Sequence, residues 1–164
     1  MGARNRVFAW SAALIMIGPG LAANPAIAQT ETTASVGTWQ LNLAESIPPQ
    51  GKTFRAFTVT IREAGAMLDF TQVETGANGQ PRSFSHRTPT DGVERAVPGF
   101  PGATMAMTLL PSGLIDAKLR FPNGSLQNKV CMMQPGLKRQ VCFATITAPG
   151  GEVSFFKHVL DRVE

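Results

Sequence analysis

Lys129-Val-Cys-Met-Met-Gln-Pro-Gly-Leu-Lys-Arg-Gln-Val-Cys-Phe143 places two β-favouring runs on either side of a Pro135-Gly136 turn. With the turn centred between Gly136 and Leu137, Cys131 faces Cys142, Val130 faces Phe143 and Met132 faces Val141. Directly opposed strand residues hold their Cβ atoms about 4.5–5.5 Å apart, within reach of a bridge. The stretch therefore predicts an antiparallel hairpin clamped by a Cys131–Cys142 disulfide, a reduced pair being the alternative, with the apolar pairs on the face opposite the cysteines. These are the only cysteines of the chain. They lack a two-residue spacing and a neighbouring histidine, so redox and metal roles have little support.

Outward from this hairpin the same pattern recurs. Ala64-Gly65, Asn78-Gly79, Asp91-Gly92, Ser112-Gly113, Asn123-Gly124 and Gly150-Gly151 punctuate short alternating runs, most neighbouring turns falling about a dozen residues apart, as in an antiparallel meander. Asn-Gly and Asp-Gly predict tight hairpins in which both central residues take positive φ. Strands are expected at 38–43, 54–62, 67–74, 82–87, 93–97, 104–110, 114–121, 126–133, 139–147 and 153–162, with a single helical turn over 43–47. Trp39, Leu41 and Leu43 alternate with Gln40 and Asn42, and Phe57, Val59 and Ile61 with Thr58, Thr60 and Arg62, so these strands bury one face. Pro98-Gly-Phe-Pro-Gly102 reads as a loop or bulged corner. The fold expected is all-β: an up-and-down meander of nine to ten antiparallel strands closing into a barrel, since consecutive hairpins without long crossovers dispose of their edges that way. Met105, Met107, Leu109, Ala117, Leu119 and Phe121 are expected inside.

The N-terminus carries an address. Arg4 and Arg6 precede the apolar run Val7–Ile17, and Ala26-Ile27-Ala28 supplies a small-x-small site before Gln29; this is a secretory signal peptide over 1–28. The run is shorter than the ~20 residues that span a bilayer and is broken by Gly18-Pro19-Gly20, so no transmembrane anchor is expected after cleavage. Residues 29–36 read as a flexible lead-in and 37–164 as one domain, periplasmic or secreted, where a disulfide persists. Arg4 and Arg6 also inflate the net charge of +4: beyond the leader, 13 basic side chains face 11 acidic ones. No basic cluster exceeds Lys138-Arg139, so no nucleic-acid partner is expected.

Gly37-Thr-Trp-Gln-Leu-Asn-Leu-Ala-Glu-Ser46 resembles the GTWxLNLxxS opening of a functionally uncharacterised family of small secreted bacterial proteins. Its Gly-x-Trp resembles the first-strand motif of lipocalin-like (calycin) barrels. Thr58–Ile61, Thr75–Pro81, Thr90–Val93, Val97–Gly99 and Val159–Arg162 extend the likeness over most of the chain beyond the leader. The resemblance implies a lipocalin-like barrel with no settled activity. It also implies structural roles for Trp39, which plugs one end, and Arg162, whose guanidinium packs over the indole.

Chemistry-bearing motifs are sparse. His86 and His158 are the only histidines, which excludes a three-His metal site and leaves satisfied or exposed side chains as the ordinary expectation. No phosphate loop or nucleophile motif occurs, so no catalytic residue, metal or cofactor is assigned and an enzyme is the least supported reading. A convergence of His86, Glu94 and Asp116 would revive it. Seven Met and ten Phe with no Tyr offer a soft lining. Phe57, Phe70, Phe84, Met105, Met107, Phe121 and Phe143 are the candidate ligand-binding residues. The partner expected is a small apolar ligand, or, if the core is filled, an envelope protein docking on the outside.

Overall fold

The computed structural model describes residues 34–110 and 114–163; the expected leader and its cleavage site lie outside them. The chain forms ten strands: β1 (Gly37–Leu41), β2 (Phe54–Ala64), β3 (Met67–Gly76), β4 (Pro81–Pro89), β5 (Arg95–Ala96), β6 (Thr104–Leu109), β7 (Ile115–Arg120), β8 (Leu126–Met133), β9 (Arg139–Thr147) and β10 (Val153–Arg162). All pair antiparallel in one curled sheet of order β4-β3-β2-β1-β10-β9-β8-β7-β6-β5. Each strand pairs with its chain neighbour except at two places. β1 and β10 join, through Trp39↔Arg162 and Leu41↔Leu160, and β4 and β5 are left as the sheet's two edges.

The barrel is thus open along one seam rather than closed by hydrogen bonds all round. Its edge is blunted by brevity: β5 has 2 residues where five were expected. Asp91 takes the Val93 amide (3.0 Å) and the Arg95 guanidinium (2.7 and 2.8 Å), a local turn that competes with strand pairing. Beyond β5, residues 97–103 fold on themselves, Val97 donating to the Ala103 carbonyl (3.0 Å) and Ala103 to that of Phe100 (3.1 Å).

The hairpins form at the expected places but with different geometry. Among the described residues the only non-glycine with positive φ is Leu137, so Asn78, Asp91 and Asn123 do not occupy mirror-image turns. At 76–79, 121–124 and 148–151 the fourth residue, a glycine, donates back to the first carbonyl (2.9–3.0 Å), and that glycine alone is left-handed, with φ of 74°, 84° and 89°. The Asn and Asp side chains serve otherwise: Asn78, Asp91 and Asn123 accept from the amide two residues on, the Asx-turn.

β8 and β9 pair as the sequence predicts, Val130↔Phe143, Cys131↔Cys142 and Met132↔Val141, with Cys131 and Cys142 joined and their Cα atoms 4.0 Å apart. The cysteines face the core. Trp39 is fully buried, as are Leu68 and Leu160. Its Nε1–H donates to the Ser35 carbonyl (3.0 Å), and the Arg162 guanidinium lies 4.2 Å from the ring centroid. Arg162 also donates to the carbonyls of Ala34, Val36 and Leu137. Ala34 and Val36 belong to the segment read from sequence as a lead-in, as does Ser35, which is 1% exposed.

Candidate functional site

The curled sheet encloses a cavity of about 550 Å³, within the roughly 300–1,000 Å³ of small-molecule sites. Strand parity decides which side chains reach it. On β2, β3 and β4 the inward set includes Phe57, Phe70, Phe84 and His86; on β6–β10 it includes Met105, Met107, Ala117, Lys129, Cys131, Gln140, Cys142, Phe156 and His158. Phe84, Phe100 and Phe121 step across the seam at 5.9 and 6.1 Å between ring centroids, so aromatic contact rather than backbone pairing spans the gap there.

Six of the seven candidate ligand-binding residues, Phe57, Phe70, Phe84, Met105, Met107 and Phe121, line this cavity. Phe143 does not. It lies on the outer face, 40% exposed, stacked on Phe155 at 6.3 Å. The physical reason is parity: Cys142 points inward, so its strand neighbour Phe143 must point out. Alternation fixes which residues share a face but leaves open which face is inside. The hypothetical catalytic convergence is also absent. His86 is inside, whereas Glu94 is an exposed partner of Arg120 and Asp116 sits between the inward Ile115 and Ala117. Among the described residues no group of three His, Cys, Asp or Glu could hold a metal.

Sequence reasoning missed a polar group embedded in this apolar wall. His86 and His158 are 8% and 5% exposed, Gln140 2%, and neither imidazole nor the Gln140 amide nitrogen has a protein hydrogen-bond partner. Rings surround the two histidines. Phe70 stacks on His86 at 5.0 Å, while Phe57 and Phe156 lie 5.3 and 4.9 Å from His158. Burial holds His86 at a pKa of about 4 and His158 at about 3, the nearby charge of Lys129 adding to both. The Lys129 ammonium, desolvated in the wall, is pushed down to about 8, so it remains mostly charged at neutral pH. Among the described residues the one carboxylate lining the cavity is Glu74, opposite Arg82 beside the turn of the β3–β4 hairpin. The signal for this group was present in the register: Lys129 shares parity with Cys131, and His158 with Phe156 and Leu160.

A second recess, about 710 Å³, lies on the outer face along Arg62, Asp69, Ser85 and Arg87. Arg87 grips Asp69 there at 2.5 and 2.7 Å and holds that carboxyl below its ordinary range, the Arg62 charge adding to the effect.

The chain matches no family model and no curated protein. It does resemble solved structures. The fluorescent protein UnaG superposes with a TM-score of 0.54 at 14% identity, over 80% of this chain and 99% of that one. The S-type phycobiliprotein lyase CPES from Guillardia theta gives 0.55 at 9%, over 84% and 93%. A protein of unknown function from the DUF3598 family of Nostoc punctiforme gives 0.55 at 16%, over 80% of this chain and 49% of that one. At such identities the likeness is one of fold: ten antiparallel strands in one curled sheet that forms a half-barrel.

Proposed function

We propose that this protein is an exported binding barrel that takes one small, largely apolar molecule in its interior. The observation that carries this reading is the 550 Å³ cavity walled by Phe57, Phe70, Phe84, Met105, Met107 and Phe121. A barrel kept only as a scaffold has no reason to forgo the contacts that would fill such a space. The export part rests on the leader and the GTWxLNLxxS resemblance, and the disulfide suits an oxidising compartment. Among the described residues no helix is long and apolar enough to cross a membrane.

The test uses Nile red, an uncharged apolar dye. Saturable one-to-one binding to the full exported protein, with blue-shifted emission, is expected. Ala117→Trp, which puts an indole into the cavity, should abolish it while the β-sheet circular dichroism persists. Absence of saturable binding by the folded wild type overturns the reading. The outer face supports a second reading, a contact for an envelope protein. Val153, Phe155 and Phe143 are 65%, 47% and 40% exposed on neighbouring strands, an apolar group of the kind that marks interaction sites. Phe143→Ser with Phe155→Ser is expected to leave dye binding unchanged.

A further inference from the structure

We propose that the cavity's occupant is a single-headed amphipathic carboxylic acid, its carboxylate lodged against Lys129, His158 and His86 and its apolar body against the phenylalanine and methionine wall. This deepens the binding reading above and rests on it.

A cation held half-buried against an apolar wall without a partner is costly, and proteins pair such charges. The Lys129 ammonium has no ion-pair or hydrogen-bond partner among the described residues, and the nearest chemistry is two imidazoles that also lack one. All three line the same cavity. The charge of Lys129 is felt at both rings. Neutral imidazole offers one N–H donor per ring. The group therefore presents one charge and two further donors, the complement of a carboxylate.

Other ligand classes fit less well. A cation would meet Lys129, Lys52 and Arg82 along the cavity wall, against Glu74 alone among the described residues. A neutral lipid would leave the ammonium unpaired. A phosphate dianion would bring two charges to a single buried cation amid Phe57, Phe70, Phe84 and Phe156, and desolvation would exceed what one Lys returns. Gln140, also unpartnered and nearer the Trp39 end, remains available to a small polar substituent.

The titration of the group agrees. Both imidazoles stay neutral well below neutrality, and Lys129 loses its proton from about pH 8 upward. Of the other groups facing the cavity, Lys52, Glu74 and Arg82 line it alongside these three, and none is buried beside Lys129. Affinity for an acid should therefore be greatest between the acid's own ionisation and about pH 8, and fall above it.

The experiment is displacement of Nile red from the exported protein by dodecanoate, 1-dodecanol and dodecylamine, which share a chain and differ in head. Dodecanoate is expected to bind roughly ten- to a hundredfold tighter than either, the worth of a charge-assisted contact. Lys129→Gln should remove that preference and Lys129→Arg should keep it, each read against the dye affinity of the same variant. Dodecanoate affinity should fall between pH 7.5 and 9.5 in the wild type and stay level in Lys129→Gln. Equal affinity for acid and alcohol with normal dye binding overturns the carboxylate inference and leaves the binding barrel standing. Failure of the dye itself overturns both. Lys129→Gln removes a desolvated charge, so loss of its fold is not expected and its melting curve checks this.

Discussion

Trp39 and Arg162 act as one unit. The indole is wholly buried, capped by a guanidinium at 4.2 Å, and its one donor is spent on Ser35. Arg162 meanwhile satisfies three carbonyls, of Ala34, Val36 and Leu137, which ties the segment before β1 to the β8–β9 turn. Trp39→Ala leaves a large void and should cost about 3–5 kcal/mol. Arg162→Lys keeps the charge but loses the planar fork, so at least two carbonyls lose their donor; about 1–3 kcal/mol is expected. Urea unfolding followed by circular dichroism measures both. Because neither side chain belongs to the inner polar group, dodecanoate affinity should hold in the folded fraction of each variant. An unchanged unfolding midpoint for Trp39→Ala together with lost binding would show that the residue touches the ligand instead.

The β8–β9 hairpin shows what was legible and why. Its bounds, register and cysteine pairing follow from local facts: a Pro-Gly turn, alternating runs and two cysteines placed opposite one another. Closing a loop this short should contribute about 2–3 kcal/mol through the unfolded state. Dithiothreitol is therefore expected to lower the urea midpoint of the wild type by that equivalent and to leave Cys131→Ala/Cys142→Ala unaffected; a midpoint indifferent to reductant in the wild type would mean that the bridge constrains nothing. The same local logic placed all ten strands within a few residues; β5 is shorter than expected, where the Asp91 carboxylate takes the Val93 amide and the Arg95 guanidinium. It failed on Phe143, because alternation gives parity without sign. The sign comes from the sheet's curl, a property of all ten strands. For the same reason Lys129, His86, His158 and Gln140 were not legible as a site. Each lies on a different strand, and only the long-range register β4-β3-β2-β1-β10-β9-β8 turns them toward one space.

For the whole molecule, that shared space makes stability depend on pH. Histidine in an unfolded chain titrates near 6.5, whereas the folded barrel holds His86 at about 4 and His158 at about 3. Between about pH 6.5 and 4 the unfolded chain binds protons that the folded one refuses, so unfolding becomes easier as pH falls through that window and the penalty vanishes above it. At about 1.4 kcal/mol per pKa unit, the two rings together put the loss by pH 4 on the order of 5 kcal/mol, comparable with the whole stability of many domains. The surface carboxylates act in the same direction but lower down. Asp69, Asp91, Glu94 and Asp161 are held below their ordinary range by Arg or Thr partners, so their contribution is present at neutral pH and lost only as pH drops through those depressed values. Lys129 repeats the histidine pattern at the alkaline end: with its folded pKa pushed down to about 8 against an unfolded value near 10.4, stability should rise between those two limits. Urea midpoints measured from pH 4.5 to 10 should thus climb to about 6.5, level off, and climb again above 8. His158→Gln should flatten the acid limb by roughly half, and Lys129→Gln should remove the alkaline limb. A wild-type curve flat from pH 4.5 to 6.5 would mean that the imidazoles are protonated and solvated in the folded state, and that the cavity is not the dry, cation-bearing pocket from which its ligand class was inferred.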